Sequence, residues 1–193
     1  MADDRKVSVP LLALGIVLVV GGILVGSAFL ATRSGKEIDA NERAAIVALR
    51  QIAAAEKAFR DEDLDDNGDR DYWTADLAGL AAMKIDREGK SLPLLPLVLA
   101  MSDLRPLGKR TKSPIPIRGY HYAAIRAEPP EEGEPLTHPS TFAFCACPAE
   151  YGKTGRKTYV IDQRGTVHAY DSQGQPPLAW PSQAEPVTRI VDE

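Results

Sequence analysis

The hydrophobic pattern changes rhythm twice along the chain. From Val7 to Thr32 the sequence VSVPLLALGIVLVVGGILVGSAFLAT runs for 26 positions without a charge. At about 1.5 Å per residue, a helix of that length reaches roughly 39 Å, enough for a bilayer core of roughly 30 Å. The pattern predicts a transmembrane helix over residues 7–32 behind a short polar head, residues 1–6. A cleaved signal peptide fits less well. Its apolar core runs only to roughly 15 residues, and here the small residues Ser27 and Ala31 bracket bulky Phe29 and Leu30.

From Ile38 the rhythm becomes that of an amphipathic helix. Ala45, Ala48, Ile52, Ala55 and Phe59 recur at spacings of three and four, with Glu42, Arg43, Arg50, Lys57 and Arg60 on the other side. The predicted helix covers 38–61. It ends in an acidic loop, 61–71, where acids oppose the helix dipole and Asn67-Gly68 signals a turn. Thr74 or Asp76 is placed to cap a short helix running to about Met83. The apolar run Ser91 to Leu104 is expected to be buried, with Pro96 opening a helical turn or a covering loop.

The second change is to a period of two. Ile117 to Ala127 places Tyr120, Tyr122 and Ala124 on one face and His121, Ala123 and Ile125 on the other. After an acidic, Pro-rich loop, Glu128 to Pro139, a strand is expected over 141–147, ended by Pro148. Lys157 to Asp162 and Thr166 to Tyr170 flank Gln163-Arg164-Gly165 as a hairpin. The antiparallel sheet is thus placed at about 117–171 and a tail at 172–193, with Trp180 tucked back and the last dozen residues loose. The fold class is α+β: a long N-terminal helix packed on a C-terminal antiparallel sheet, in one globular domain over 33–193. The tyrosines at 120, 122, 159 and 170 are read as cross-strand pairs packing toward Phe59, and Trp73 and Trp180 as buried lids or partner anchors.

A net charge of −4, mixed along the chain, argues against a nucleic-acid surface. Arg5 and Lys6 before the apolar run balance Arg33 and Lys36 after it, so charge leaves orientation open. Asp63-x-Asp65-x-Asn67-Gly68 matches the first six positions of a calcium loop, and Asp69 and Asp71 add oxygens. Position twelve is Thr74 rather than Glu, and the nearest acid beyond is Asp76. Two readings stay open: a solvated acidic turn, or a calcium site outside the EF-hand pattern built from Asp63, Asp65, Asn67, Asp69 and Asp71. Cys145 and Cys147, two apart on a strand, share a face but suit a mutual disulfide poorly. With His121, His138 or His168 they offer zinc-type ligands or a Cys–His nucleophile, against a simpler role as core filler. Gly152-Lys153-Thr154 lacks the first Gly of a phosphate loop and reads as a turn.

The order of these elements resembles type IV pilin-like proteins and the pseudopilins of type II secretion. Asn41 to Leu80, GYHYAAIR from Gly119 to Arg126, and Tyr151 to Pro181 resemble uncharacterised pilin-like, membrane-anchored proteins of planctomycete-type bacteria. The span opens Lys6-Val7-Ser8-Val9-Pro10, without the Gly and Glu that a prepilin peptidase reads. The resemblance implies a pilin-like fold, an N-terminus in the cytoplasm and a globular domain outside it, held in the cell membrane by lipid contact through 7–32. The expected function is non-enzymatic: a structural or accessory part of a type II secretion or pilus-like system, associating with itself or with pilin-like subunits. The alternative is a tethered binding module with a calcium-stabilised loop. No other cofactor is expected.

Overall fold

A computed structural model of the chain describes residues 9–107, 113–126 and 136–187, without side chains for 9–34 and 87. The elements are α1 (Val9–Glu62), β1 (Tyr72–Trp73), α2 (Leu77–Ala82), β2 (Lys84–Arg87), β3 (Lys90–Pro93), α3 (Leu97–Met101), β4 (Tyr120–Ala124), β5 (Thr137–His138), β6 (Ala143–Pro148), β7 (Thr158–Asp162), β8 (Val167–Tyr170) and β9 (Glu185–Pro186). Two compact units divide the chain at Glu37/Ile38. The first is described as helical backbone from Val9, with side chains only from residue 35; the sheets and the hydrophobic core belong to the second.

The expected placement in a membrane is corrected. Among the described residues no helix is long and apolar enough to cross one. The side chains described in α1 begin at residue 35, and from there Lys36, Glu37, Asp39, Glu42 and Arg43 already break any apolar run. The polar head and residues 7–8 lie outside the described residues, as do the side chains on which lipid contact through 7–32 would rest.

The amphipathic stripe forms as its spacing predicts. Ala45, Leu49, Ile52 and Phe59 are fully buried, and Ala48 and Ala55 nearly so. They share one core with Tyr120, Tyr122, Phe144, Ala146, Tyr159 and Ile161 of the sheet. The small Ala side chains of the stripe share this core with large Tyr and Phe side chains of the sheet, so this face of the molecule is an ordinary apolar contact of helix on sheet. The stop of α1 is more specific than acid repulsion. Asp63 takes a left-handed conformation (φ 48°), its N–H donates to Arg60 O (3.4 Å) and the Leu64 N–H donates to Phe59 O (3.3 Å). That is the paired arrangement with which helices commonly end, and Leu64 packs against the core cluster that holds Phe59.

The main sheet is antiparallel in the order β4-β6-β7-β8-β9. The register pairs Tyr122 with Ala146 and Ala146 with Tyr159, keeping them on the helix-facing side. Ala123, Cys145, Val160 and Tyr170 form a second cluster on the opposite side. Tyr170 therefore departs from the expected tyrosine group: its register partner is Thr158, on the far face. The hairpin at Gln163-Arg164-Gly165 is as read, with Gly165 at φ 73° and its N–H donating to Asp162 O (2.9 Å). Pro148 closes β6 as its last, buried residue.

Three regions differ from expectation. The predicted tail supplies β9, which pairs with β8 through Ala169 and Glu185; residues 188–193 lie outside the described residues. Thr137–His138, placed in a loop by sequence, pairs with Tyr72–Trp73. The run Ser91 to Leu104 is split: Leu95, Leu99 and Ala100 are buried, whereas Leu97, Val98 and Met101 are exposed. Its first residues belong instead to the β2–β3 hairpin. Hydropathy reports how apolar a five-residue helix is, not which half of it faces in. The cap of α2 is Asp76, whose carboxylate accepts from Gly79 N (2.8 Å) and Leu107 N (2.9 Å).

Candidate functional site

The acidic loop is closed by its own hydrogen bonds. Asp63 Oδ2 accepts from Gly68 N (3.1 Å), Asn67 Nδ2 donates to Asp65 Oδ2 (2.8 Å), and Asp69 N donates to Asn67 Oδ1 (2.7 Å). Gly68 sits at φ 86°, where a side chain would be strained. Two oxygens stand apart from this network: Asp63 Oδ1 and Asp71 Oδ1 are buried and have no hydrogen-bond partner. The Asp65 carboxyl is raised, first by partial burial and then by the charges of Asp71 and Asp63. Asp65 thus lies within the field of Asp63 and Asp71, while Asn67 and the Asp69 main chain are engaged in the turn. Among the described residues, no three His, Cys, Asp or Glu side chains form a group that could hold a metal ion.

The cysteine and histidine set is divided by the register. His121 is directly across from Cys147, whose Sγ lies 3.8 Å from His121 O. His168 faces Val160, two strands from Cys145 and so roughly 10 Å away. His138 belongs to the separate β1–β5 pair, where its Nδ1 accepts from Ser140 N (3.2 Å) and Thr141 N (3.1 Å). Both cysteines are free thiols. Burial pushes Cys147 up to about 11, with the Arg105 charge pulling the other way, and pushes Cys145 higher still. A nucleophile or zinc ligand needs the opposite, a readily formed thiolate. Cys145 fills space in the second cluster, and Cys147 is buried two residues further along the same strand.

Gly152-Lys153-Thr154 is a turn that latches onto α1. Asn41 Nδ2 donates to Thr154 O (3.1 Å), Arg156 N donates to Glu42 Oε1 (2.9 Å), and the Arg156 guanidinium pairs with Asp39. Gly155 is required there, because a Cβ would lie 2.1 Å from the Tyr120 hydroxyl oxygen. Trp73 is a buried lid whose Nε1 donates to Asp76 O (2.8 Å). Trp180 is not: it stays 39% exposed, edge-on to His168 with ring centroids 5.4 Å apart.

A family model described as "Protein of unknown function (DUF2950)" matches residues 30–175. The chain belongs to this family. Neither the curated proteins nor the solved structures gave a match. The DUF2950 match takes in α1 from residue 30, the acidic loop, both cysteines and the sheet through β8, and it ends before Trp180 and β9.

Two side chains that pattern reading passes over stand out. Glu56 lies on the buried side of α1 at 0% exposure, and neither carboxyl oxygen has a hydrogen-bond partner. Burial raises it well above the carboxylate range, opposed by the Trp73 main chain. Its spacing from Ile52 and Phe59 was the available signal. Arg105 directs its guanidinium at four main-chain carbonyls: Ala124 (3.3 Å), Arg126 (3.2 Å), Pro177 (3.0 Å) and Pro176 (3.3 Å). Nothing local in the sequence marks it, since its acceptors lie up to 72 residues away.

Proposed function

We propose that this DUF2950 protein is a non-enzymatic, pilin-like structural or accessory component of a secretion- or pilus-type assembly. The observation that carries the reading is the Ala-rich stripe of α1 laid on an antiparallel sheet, the arrangement the pilin resemblance implies. That stripe is used up inside the chain, so association must employ the outer side of α1, where Val47 is 49% exposed. A photo-crosslinker attached at Val47→Cys is expected to capture a second copy, whereas one at Leu178→Cys is not. Capture of other proteins alone from Val47 would overturn the reading.

A second reading is favoured by the orphaned oxygens of Asp63 and Asp71 beside a destabilised Asp65 carboxylate. Calcium would relieve all three, drawing on Asn67 and Asp69 as the turn opens. Extracellular-type sites have dissociation constants of about 10⁻⁴ to 10⁻³ M, so tenfold excess stabilises by about 1.4 kcal/mol. Calcium at about 10 mM should raise Tm by a few degrees in the native chain and not in Asp63→Asn with Asp71→Asn; an unchanged native Tm removes this reading.

A further inference from the structure

A groove of about 350 Å³ lies between the last turns of α1 and the turn joining β7 to β8. Three cations line it, Lys57, Arg60 and Arg164, against one acid, Asp61, in a chain whose net charge is −4. Its apolar lining is Ala53, Ala54, Tyr72 and Phe142. Arg60 is held ready: Nε donates to Arg70 O (3.0 Å), Nη1 donates to the Tyr72 hydroxyl (3.1 Å), and the guanidinium lies over the Tyr72 ring, 4.9 Å from its centre. A pre-positioned guanidinium loses less freedom on binding than a free one. Lys57 bonds Asp61, and Arg164 stands 4.0 Å from Asp162; both cations remain largely exposed, at 72% and 81%. The Asp61 carboxyl is lowered by Lys57 first, with Arg60 and Arg70 adding to the effect, so the positive field extends beyond one pair.

We propose that this groove docks an acidic peptide segment of a partner protein, with carboxylates on Arg60, Lys57 and Arg164 and an apolar side chain against Ala53 and Ala54. Charge complementarity selects the sign. The openness of the cations selects a segment over a small anion, because one exposed ion pair yields about 0–1 kcal/mol and several must act together. Half-buried Ala53 and exposed Ala54 beside the cations supply the apolar contact that a free phosphate cannot use. Peptide docking at this groove is independent of the assembly reading.

The test uses the full chain and a fluorescein-labelled peptide, Glu-Glu-Phe-Glu-Glu, followed by anisotropy at low salt. Saturable binding is expected, weakened at least tenfold by Arg164→Glu combined with Lys57→Gln while Tm stays unchanged, and lost when Gln replaces each Glu of the peptide. Equal binding by the variant, equal binding of the Gln peptide, or no saturation below millimolar peptide overturns the proposal. So does sedimentation showing that the same substitutions dissolve a dimer of the native chain, since the occupant would then be a second copy.

Discussion

The two faces of the five-stranded sheet are closed by different physics. Toward α1, the sheet buries Tyr120, Tyr122, Phe144, Tyr159 and Ile161 against a regular helix whose polar main chain is already satisfied within itself. Apolar area alone can hold that side together. On the other face, Ala123, Cys145, Val160 and Tyr170 are covered with the help of Leu104, Ile125 and Ala184, all from irregular segments. Irregular chain brings carbonyls that need donors, and Arg105 supplies them for Ala124, Arg126, Pro176 and Pro177. One side is a packing problem; the other is a hydrogen-bonding problem.

Substitutions should separate the two. The largest effect is expected on the helix side, where Phe59→Ala removes a fully buried ring and costs about 3–5 kcal/mol, read by urea unfolding. On the far side, Arg105→Met keeps apolar bulk but leaves the carbonyls without their donor, costing about 2 kcal/mol. Its signature is local: Cys147 should react with a thiol reagent several-fold faster while far-UV dichroism is unchanged. If Phe59→Ala speeds thiol labelling as much as Arg105→Met does, the two faces are not independent. The smallest effect sharpens the helix side. Glu56 has a raised pKa in the folded chain, so the folded state binds more protons than the unfolded one. Its contribution is whole below about 4.5 and is lost as pH rises toward the folded value, at no more than about 1.4 kcal/mol per unit. Glu56→Gln should flatten that decline; an unchanged slope places the titration elsewhere.

Sequence reading was strongest where periodicity alone decides the structure. The stripe from Ala45 to Phe59, the cap at Asp76 and the hairpin at Gly165 are local signals, and each forms as read. It was weaker where a residue's role depends on distant chain. Thr137 and His138 become a strand because Tyr72 and Trp73 lie beside them, and Glu185 because Ala169 does. The candidate ligands show the same limit. Asp63 looks like a calcium oxygen, yet one of its oxygens closes a turn on Gly68, and its backbone ends α1. Cys145, Cys147, His121 and His168 do share a sheet side, but register sets His121 across from Cys147 and leaves His168 two strands from Cys145, which alternation could not reveal. The groove at Arg60 and Arg164 joins residues more than a hundred positions apart and leaves no local trace.

The guanidinium of Arg105 also sets an order of events. As the chain is made from its N-terminus, the helix-facing core needs little beyond Val167, whereas the opposite face needs Pro176, Pro177 and Ala184. A chain that ends before Pro176 therefore carries the residues of the helix-facing core but lacks the segment that covers the opposite face. In a chain stopped at residue 175, Cys145 would lack the cover that Ala184 gives its cluster.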